Sequence, residues 1–131
     1  VYTLLAETGE DTSDPISEEA KSLLDGHIVL SRRLGEKGHY PAVDVLKSLS
    51  RVMGHVVDGD HLASAQQFRQ LMAAANDVQL LIKLNEYQEG SDALTDKAIS
   101  LQEEMQNFLR QGNREVSDFD ETRSRLQMLV I

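Results

Sequence analysis

At 131 residues the chain has the length of one ordinary domain, enough to bury a core without metals or disulfides. A hydrophobic fraction of 40% and a charged fraction of 27% argue against both disordered and membrane-embedded classes. A net charge of −9, with no block among the 13 Lys and Arg residues, argues against nucleic acid and anionic lipid as partners.

The chain opens on Val1, and Val1-Tyr2-Thr3-Leu4-Leu5 is β-prone, so it is expected to be a piece of a longer protein that begins inside a fold. Glu7 to Ser13 is polar, acidic and glycine-containing, the composition of a surface loop. Asp14-Pro15 offers an N-cap acceptor followed by proline at N1, and Ile16, Ala20, Leu23 and Leu24 follow at helical spacing before Gly26. His27 to Leu30 is a second β-prone run, Ser31 to Gly35 opens a brief helix, and Gly38-His39-Tyr40-Pro41 is a loop.

Beyond Arg51 the period lengthens. Asp60 precedes a long amphipathic helix with Leu62, Ala65, Phe68, Met72, Ala75, Val78 and Ile82 on one stripe, widened by Leu71 and Leu81. A next helix carries Leu94, Ala98, Leu101, Met105 and Phe108 at steps of four and three, with Gly112 placed as its C-cap glycine. Ser117 and Asp120 resemble a capping box for a last helix with Phe119, Leu126 and Val130 on one side. The three stripes are expected to pack on one another.

Self-contained chemistry is missing from the sequence. It holds no G-x-x-x-x-G-K-[ST], H-E-x-x-H, G-x-S-x-G or EF-hand spacing. The absence of cysteine removes disulfides, thiolate metal sites and thiol nucleophiles. His27, His39, His55 and His61 show no metal-ligand interval, and Glu7, Glu10, Asp11 and Asp14 read as a solvated loop and helix start. No metal ligand is expected.

The segment Leu24 to Met53 reads LDGHIVLSRRLGEKGHYPAVDVLKSLSRVM. Its pieces DGHIVLSR, HYPAVDVL and SLSRVM, together with LNEYQEGSDALTDKAI and NFLRQG further on, resemble the type III protein-secretion ATPases. They are also similar to the flagellar export ATPases and, more distantly, to the ATP synthase catalytic subunit. The resemblance covers nearly the whole chain and implies the α/β edge of a RecA-like P-loop ATPase domain over residues 1–55, followed by an all-α helical domain over 56–131.

It further implies that Arg51 is an arginine finger, reaching across a subunit boundary to a neighbour's γ-phosphate. A planar guanidinium donating to phosphate oxygens there supplies about 10³ to 10⁵ in rate, roughly 4 to 7 kcal/mol. The alternative for a lone arginine is a surface ion pair. Tyr40, before Pro41, matches the aromatic that stacks on adenine in the related catalytic subunits, and Phe119 falls where they place a second such ring. Where those subunits have a further aromatic this chain has Asn113, and core packing is the alternative for both rings. Asp25 and Asp44 lie inside the motif pieces with no chemical role beyond turn and cap hydrogen bonds.

The intact protein would then be a homohexameric, cytoplasmic ATPase using ATP and Mg²⁺ at the inner face of the bacterial inner membrane. Its partners would be secretion chaperones and effectors, a central stalk and regulators of the apparatus. The piece alone would be inactive and hold no nucleotide tightly. A flagellar export ATPase and a non-catalytic helical binding module are the two alternative readings.

Overall fold

The computed structural model describes residues 1–5 and 14–131, so the acidic loop expected over Glu7 to Ser13 lies outside the described residues. The chain divides into two compact units, Val1–Met53 and Gly54–Ile131.

In the first unit α1 spans Pro15–Leu23, with Asp14 as N-cap accepting the Ile16 amide and proline in the first turn, as the sequence predicts. Strand β1, Gly26–Leu30, pairs antiparallel with β2, Val43–Ser50, and between them lies α2, Arg32–Glu36. Gly26 is required by that pairing, because a Cβ there would stand 2.8 Å from the Leu49 carbonyl oxygen. The ladder is interrupted: His27 pairs with Leu49 and Val29 with Asp44, so Ile28 alone faces residues 45–48 of β2. Side chains take over the missing ladder bonds. The Val29 amide donates to Ser48 Oγ at 3.0 Å, that hydroxyl donates to the Asp44 carbonyl at 2.6 Å, and the Asp44 carboxylate accepts the Lys47 amide at 3.1 Å. Asp44 thus has the turn role expected of it.

One expectation fails in this unit, and one strand goes unread. Val1 to Leu5 is not a strand, because none of the described strands pairs with it and β-propensity without a neighbour leaves the backbone groups unsatisfied. Conversely β2 was not legible as a strand, since its bulge breaks the period of two. Among the described residues of the unit only Ser31 and His39 are buried, while Ile16, Leu23, Ile28 and Leu30 stand bare. The two-stranded sheet therefore has little core of its own among the described residues.

The second unit has a true core. After a short turn of helix, α3, Met53–Val56, comes α4, Gly59–Lys83, followed by α5, Ala93–Ser100, α6, Gln102–Leu109, and α7, Phe119–Val130. Phe68, Leu71 and Ala75 of α4 close on Ala98, Met105, Leu126 and Val130, with Leu71 fully buried. The three stripes therefore pack on one another, as predicted. Three details differ. Asp60, expected to precede α4, lies inside it, and the Asp58 carboxylate accepts the His61 amide of the first turn at 2.8 Å. The helix expected from Leu94 to Phe108 is two, parted at Leu101, and it ends at Arg110 in extended conformation, so Gly112 is no C-cap. The cap of α7 is Asp118, which accepts the Glu121 amide at 2.8 Å; Ser117 instead shares a hydrogen bond with the Thr122 hydroxyl. The C-terminal carbonyls of α7 are satisfied by Lys97, whose ammonium donates to Val130 at 2.9 Å and Ile131 at 3.1 Å, and by Gln67 at 2.8 Å. Among the described residues no helix is long and apolar enough to cross a membrane.

Candidate functional site

Arg51 follows β2 directly. Its amide donates to the Asp25 carbonyl at 2.8 Å, which ties it to the residue just before β1, and its guanidinium leans over the C-terminal turn of α1, donating to the Lys21 carbonyl at 3.5 Å. The unsatisfied carbonyls of a helix end form a weakly negative resting place for a cation. The side chain is exposed, and among the described residues no carboxylate forms an ion pair with it. Among the described residues the surface ion pair weighed as the alternative is not seen, and the printed hydrogen bond uses one of the guanidinium's donors.

Tyr40 stands at the other end of β2. Helix α2 closes with a paired motif in which Gly38, at φ +69°, lets its own amide reach the Gly35 carbonyl at 2.9 Å while the His39 amide reaches Leu34 at 2.9 Å. That turn buries His39 and leaves the next residue, Tyr40, 57% exposed, with a cis peptide bond to Pro41 leading into β2. The phenol lies along α2 where Gly35 has no side chain; a Cβ there would sit 3.5 Å from the Tyr40 hydroxyl oxygen. Within this unit the ring packs into no core, as is equally true of Ile28 and Leu30.

Phe119 belongs to the second unit. It is the first residue of α7 and is 66% exposed, so it is not the core residue its spacing with Leu126 and Val130 suggested. Its ring rests on the His61 imidazole, with centroids 5.6 Å apart and planes at 58°. Asp58, one turn earlier, joins this group. One carboxylate oxygen caps α4 and the other accepts Arg123 Nη1 at 2.8 Å. Sequence reasoning missed Asp58, His61 and Arg123, because Phe119 and His61 lie far apart in the chain and only the caps, at Asp58 and Asp118, carry a local signal.

A second polar group missed by the sequence sits after α4. Asn85, at φ +55°, ends that helix, and the following turn is held by Asp96, which accepts the Tyr87 hydroxyl and the Gly90 amide, the latter at 3.0 Å. The hydrogen bond to Asp96, before burial and neighbouring carboxylates, pushes the Tyr87 phenol up to about 12. Asp92 caps α5, and the Thr95 hydroxyl followed by its amide holds the Asp92 carboxyl below the usual range.

Among the described residues no three His, Asp or Glu side chains are grouped to hold a metal. A half-open pocket lined by Met72, Ala75, Met105 and Leu109 measures about 20 Å³, room for a water rather than a nucleotide.

Comparison with known proteins places the chain in a family. Residues 57–128 match the model of the T3SS EscN ATPase C-terminal domain, and residues 1–50 match the nucleotide-binding domain of the ATP synthase alpha/beta family. The type 3 secretion system ATPase of Sinorhizobium fredii is 51% identical over 92% of this chain and 27% of its own length. Flagellum-specific ATP synthases match as well, at 48% and 42% identity. Among solved structures, the assembled ATPase EscN from enteropathogenic E. coli superposes with a TM-score of 0.90 at 42% identity, over 99% of this chain and 31% of that one. EscN in complex with its central stalk EscO gives 0.83 at 43%, over 89% and 29%. The chain thus spans little more than a quarter of the curated relative's length.

Proposed function

The chain belongs to the T3SS EscN ATPase C-terminal domain family, and from that membership we propose that it is the C-terminal part of an ATPase that drives type III protein secretion. Residues 1–55 are its share of the RecA-like domain and 56–131 its helical domain. The whole enzyme hydrolyses ATP with Mg²⁺ in a homohexameric ring at the cytoplasmic face of the inner membrane, releasing chaperones from secretion substrates and unfolding them. The helical domain is the docking side for chaperones and for a central stalk; EscN, a relative by structure, is solved both assembled and with its stalk EscO.

Arg51 carries the reading. It is an exposed cation with no carboxylate partner among the described residues, resting on one long hydrogen bond. In its proposed role it donates to the γ-phosphate bound by the neighbouring subunit, where charge spreads over equatorial oxygens as the phosphoryl group transfers. Tyr40 stands at the opposite end of β2, and its ring offers an open face to an adenine in its own subunit. One strand thereby supplies two different nucleotides, which fits catalysis shared between subunits. Phe119, exposed at the start of α7, is the second adenine-facing ring. These 131 residues alone are expected not to turn over ATP, because their sequence contains no phosphate-cradling G-x-x-x-x-G-K-[ST] loop.

In the full-length enzyme, Arg51→Ala is expected to lower turnover by about 10³-fold or more, with ring assembly retained in sedimentation. Arg51→Lys should not restore it, since a point charge lacks the planar fork. Unchanged turnover would remove the finger and leave a scaffold or docking domain.

A further inference from the structure

We propose that His61, Asp58 and Arg123 form a positioning frame that fixes the ring of Phe119 and through it sets the enzyme's selectivity for adenine nucleotides. The proposal rests on the reading of Phe119 as an adenine-facing ring.

A phenylalanine at the first position of a helix, 66% exposed, has little around it to hold one rotamer. A ring that rotates freely stacks poorly on a base, because ordering it on binding costs part of the contact. Phe119 is not left free. Its ring pairs with the His61 imidazole, centroids 5.6 Å apart and planes at 58°, a tilted aromatic pair. His61 is itself placed by its own helix start, since its amide donates to Asp58 at 2.8 Å. The second oxygen of Asp58 takes Arg123 at 2.8 Å, and Arg123 lies four residues beyond Phe119, on the same face of α7. One carboxylate therefore joins the first turns of α4 and α7, and the ring pair forms alongside it.

The ion pair is exposed on both sides, 38% for Arg123 and 53% for Asp58, so it adds little to stability. What it contributes is geometry. It holds the two helix starts in register so that His61 stays beneath Phe119. The part of the phenyl ring not facing His61 is open to solvent, a surface on which a flat heterocycle can stack. A two-ring purine overlaps that surface more fully than a one-ring pyrimidine, so a ring held in one orientation favours ATP over CTP.

The test is steady-state hydrolysis of ATP and of CTP by the full-length ATPase carrying Phe119→Ala, His61→Ala or His61→Phe. Thermal melts and sedimentation establish that each variant folds and assembles. Phe119→Ala and His61→Ala are each expected to raise KM for ATP about three- to tenfold and to lower the ATP-over-CTP ratio of kcat/KM, while kcat holds within about twofold. His61→Phe, which keeps a ring beneath Phe119, should restore both. If Phe119→Ala raises KM but His61→Ala does not, or if His61→Ala lowers only the melting temperature and kcat with the ratio intact, the frame is overturned and His61 is merely structural. If Phe119→Ala leaves KM and the ratio unchanged, the adenine reading of Phe119 itself falls. Should His61→Ala fail to fold, Asp58→Asn serves instead: it keeps an N-cap acceptor, breaks the charge pair, and is expected to move KM in the same direction by a smaller factor. No movement there overturns the frame.

Discussion

Tyr87 shows how one side chain can write a local geometry into a titration. Its hydroxyl donates to Asp96, and its pKa rises from 10.0 to about 12 because ionisation would break that bond and set two negative charges together. Between those values the folded chain holds a proton that the unfolded chain has lost. The contribution of Tyr87 is therefore fully present below pH 10 and is lost as the pH climbs through the folded value. Urea midpoints measured across that alkaline range should fall with rising pH, and Tyr87→Phe should flatten the fall. An unchanged slope in the variant would mean that the bond to Asp96 is not formed in solution. The opposite sign holds for Asp92, whose carboxyl is lowered first by the Thr95 hydroxyl: its contribution is lost in acid, as the pH falls through the folded value.

At the scale of elements, the caps decide where helices begin, and α7 offers a direct choice between two candidates. Asp118 accepts the Glu121 amide whereas Ser117 only meets a threonine hydroxyl. Asp118→Ala should cost about 1 kcal/mol, a shift of a few degrees in melting temperature, and Ser117→Ala clearly less. Equal losses would restore the capping box read from the sequence. The contrast also explains what was legible. Asp14-Pro15 could be read because cap and proline act within one turn, and the stripe from Leu62 to Val78 because a core-facing helix repeats itself. The break at Leu101 could not, since the apolar spacing runs through it undisturbed. Strand β2 was hidden by a bulge whose partners, Val29 and Ser48, lie in different strands. At the candidate site, Arg51 and Tyr40 are singled out only through the motif around them, not through any physical signal of their own. The support of Phe119 by His61 is a contact between distant helix starts, which no local pattern encodes.

At the scale of the whole molecule, the two units differ in kind. Gly54–Ile131 encloses Leu71, Ala98 and Met105 almost completely, while Val1–Met53 leaves Ile16, Leu23, Ile28 and Leu30 largely in water. In the proposed enzyme those bare side chains are the seats of neighbouring strands and helices of the parent domain. The resting place of Arg51 has a further consequence. Its guanidinium is held by a single hydrogen bond of 3.5 Å, at the limit of such an interaction. In the proposed enzyme, where Arg51 swings towards a neighbour's phosphate, the described residues offer no carboxylate latch that would have to be released first. On that proposal control over turnover is expected to fall to the arrival of a neighbour, with protein concentration as the switch. Specific activity of the full-length enzyme should climb with enzyme concentration through the assembly range and level off above it, and a constant value on dilution to monomers would place the activating cation elsewhere.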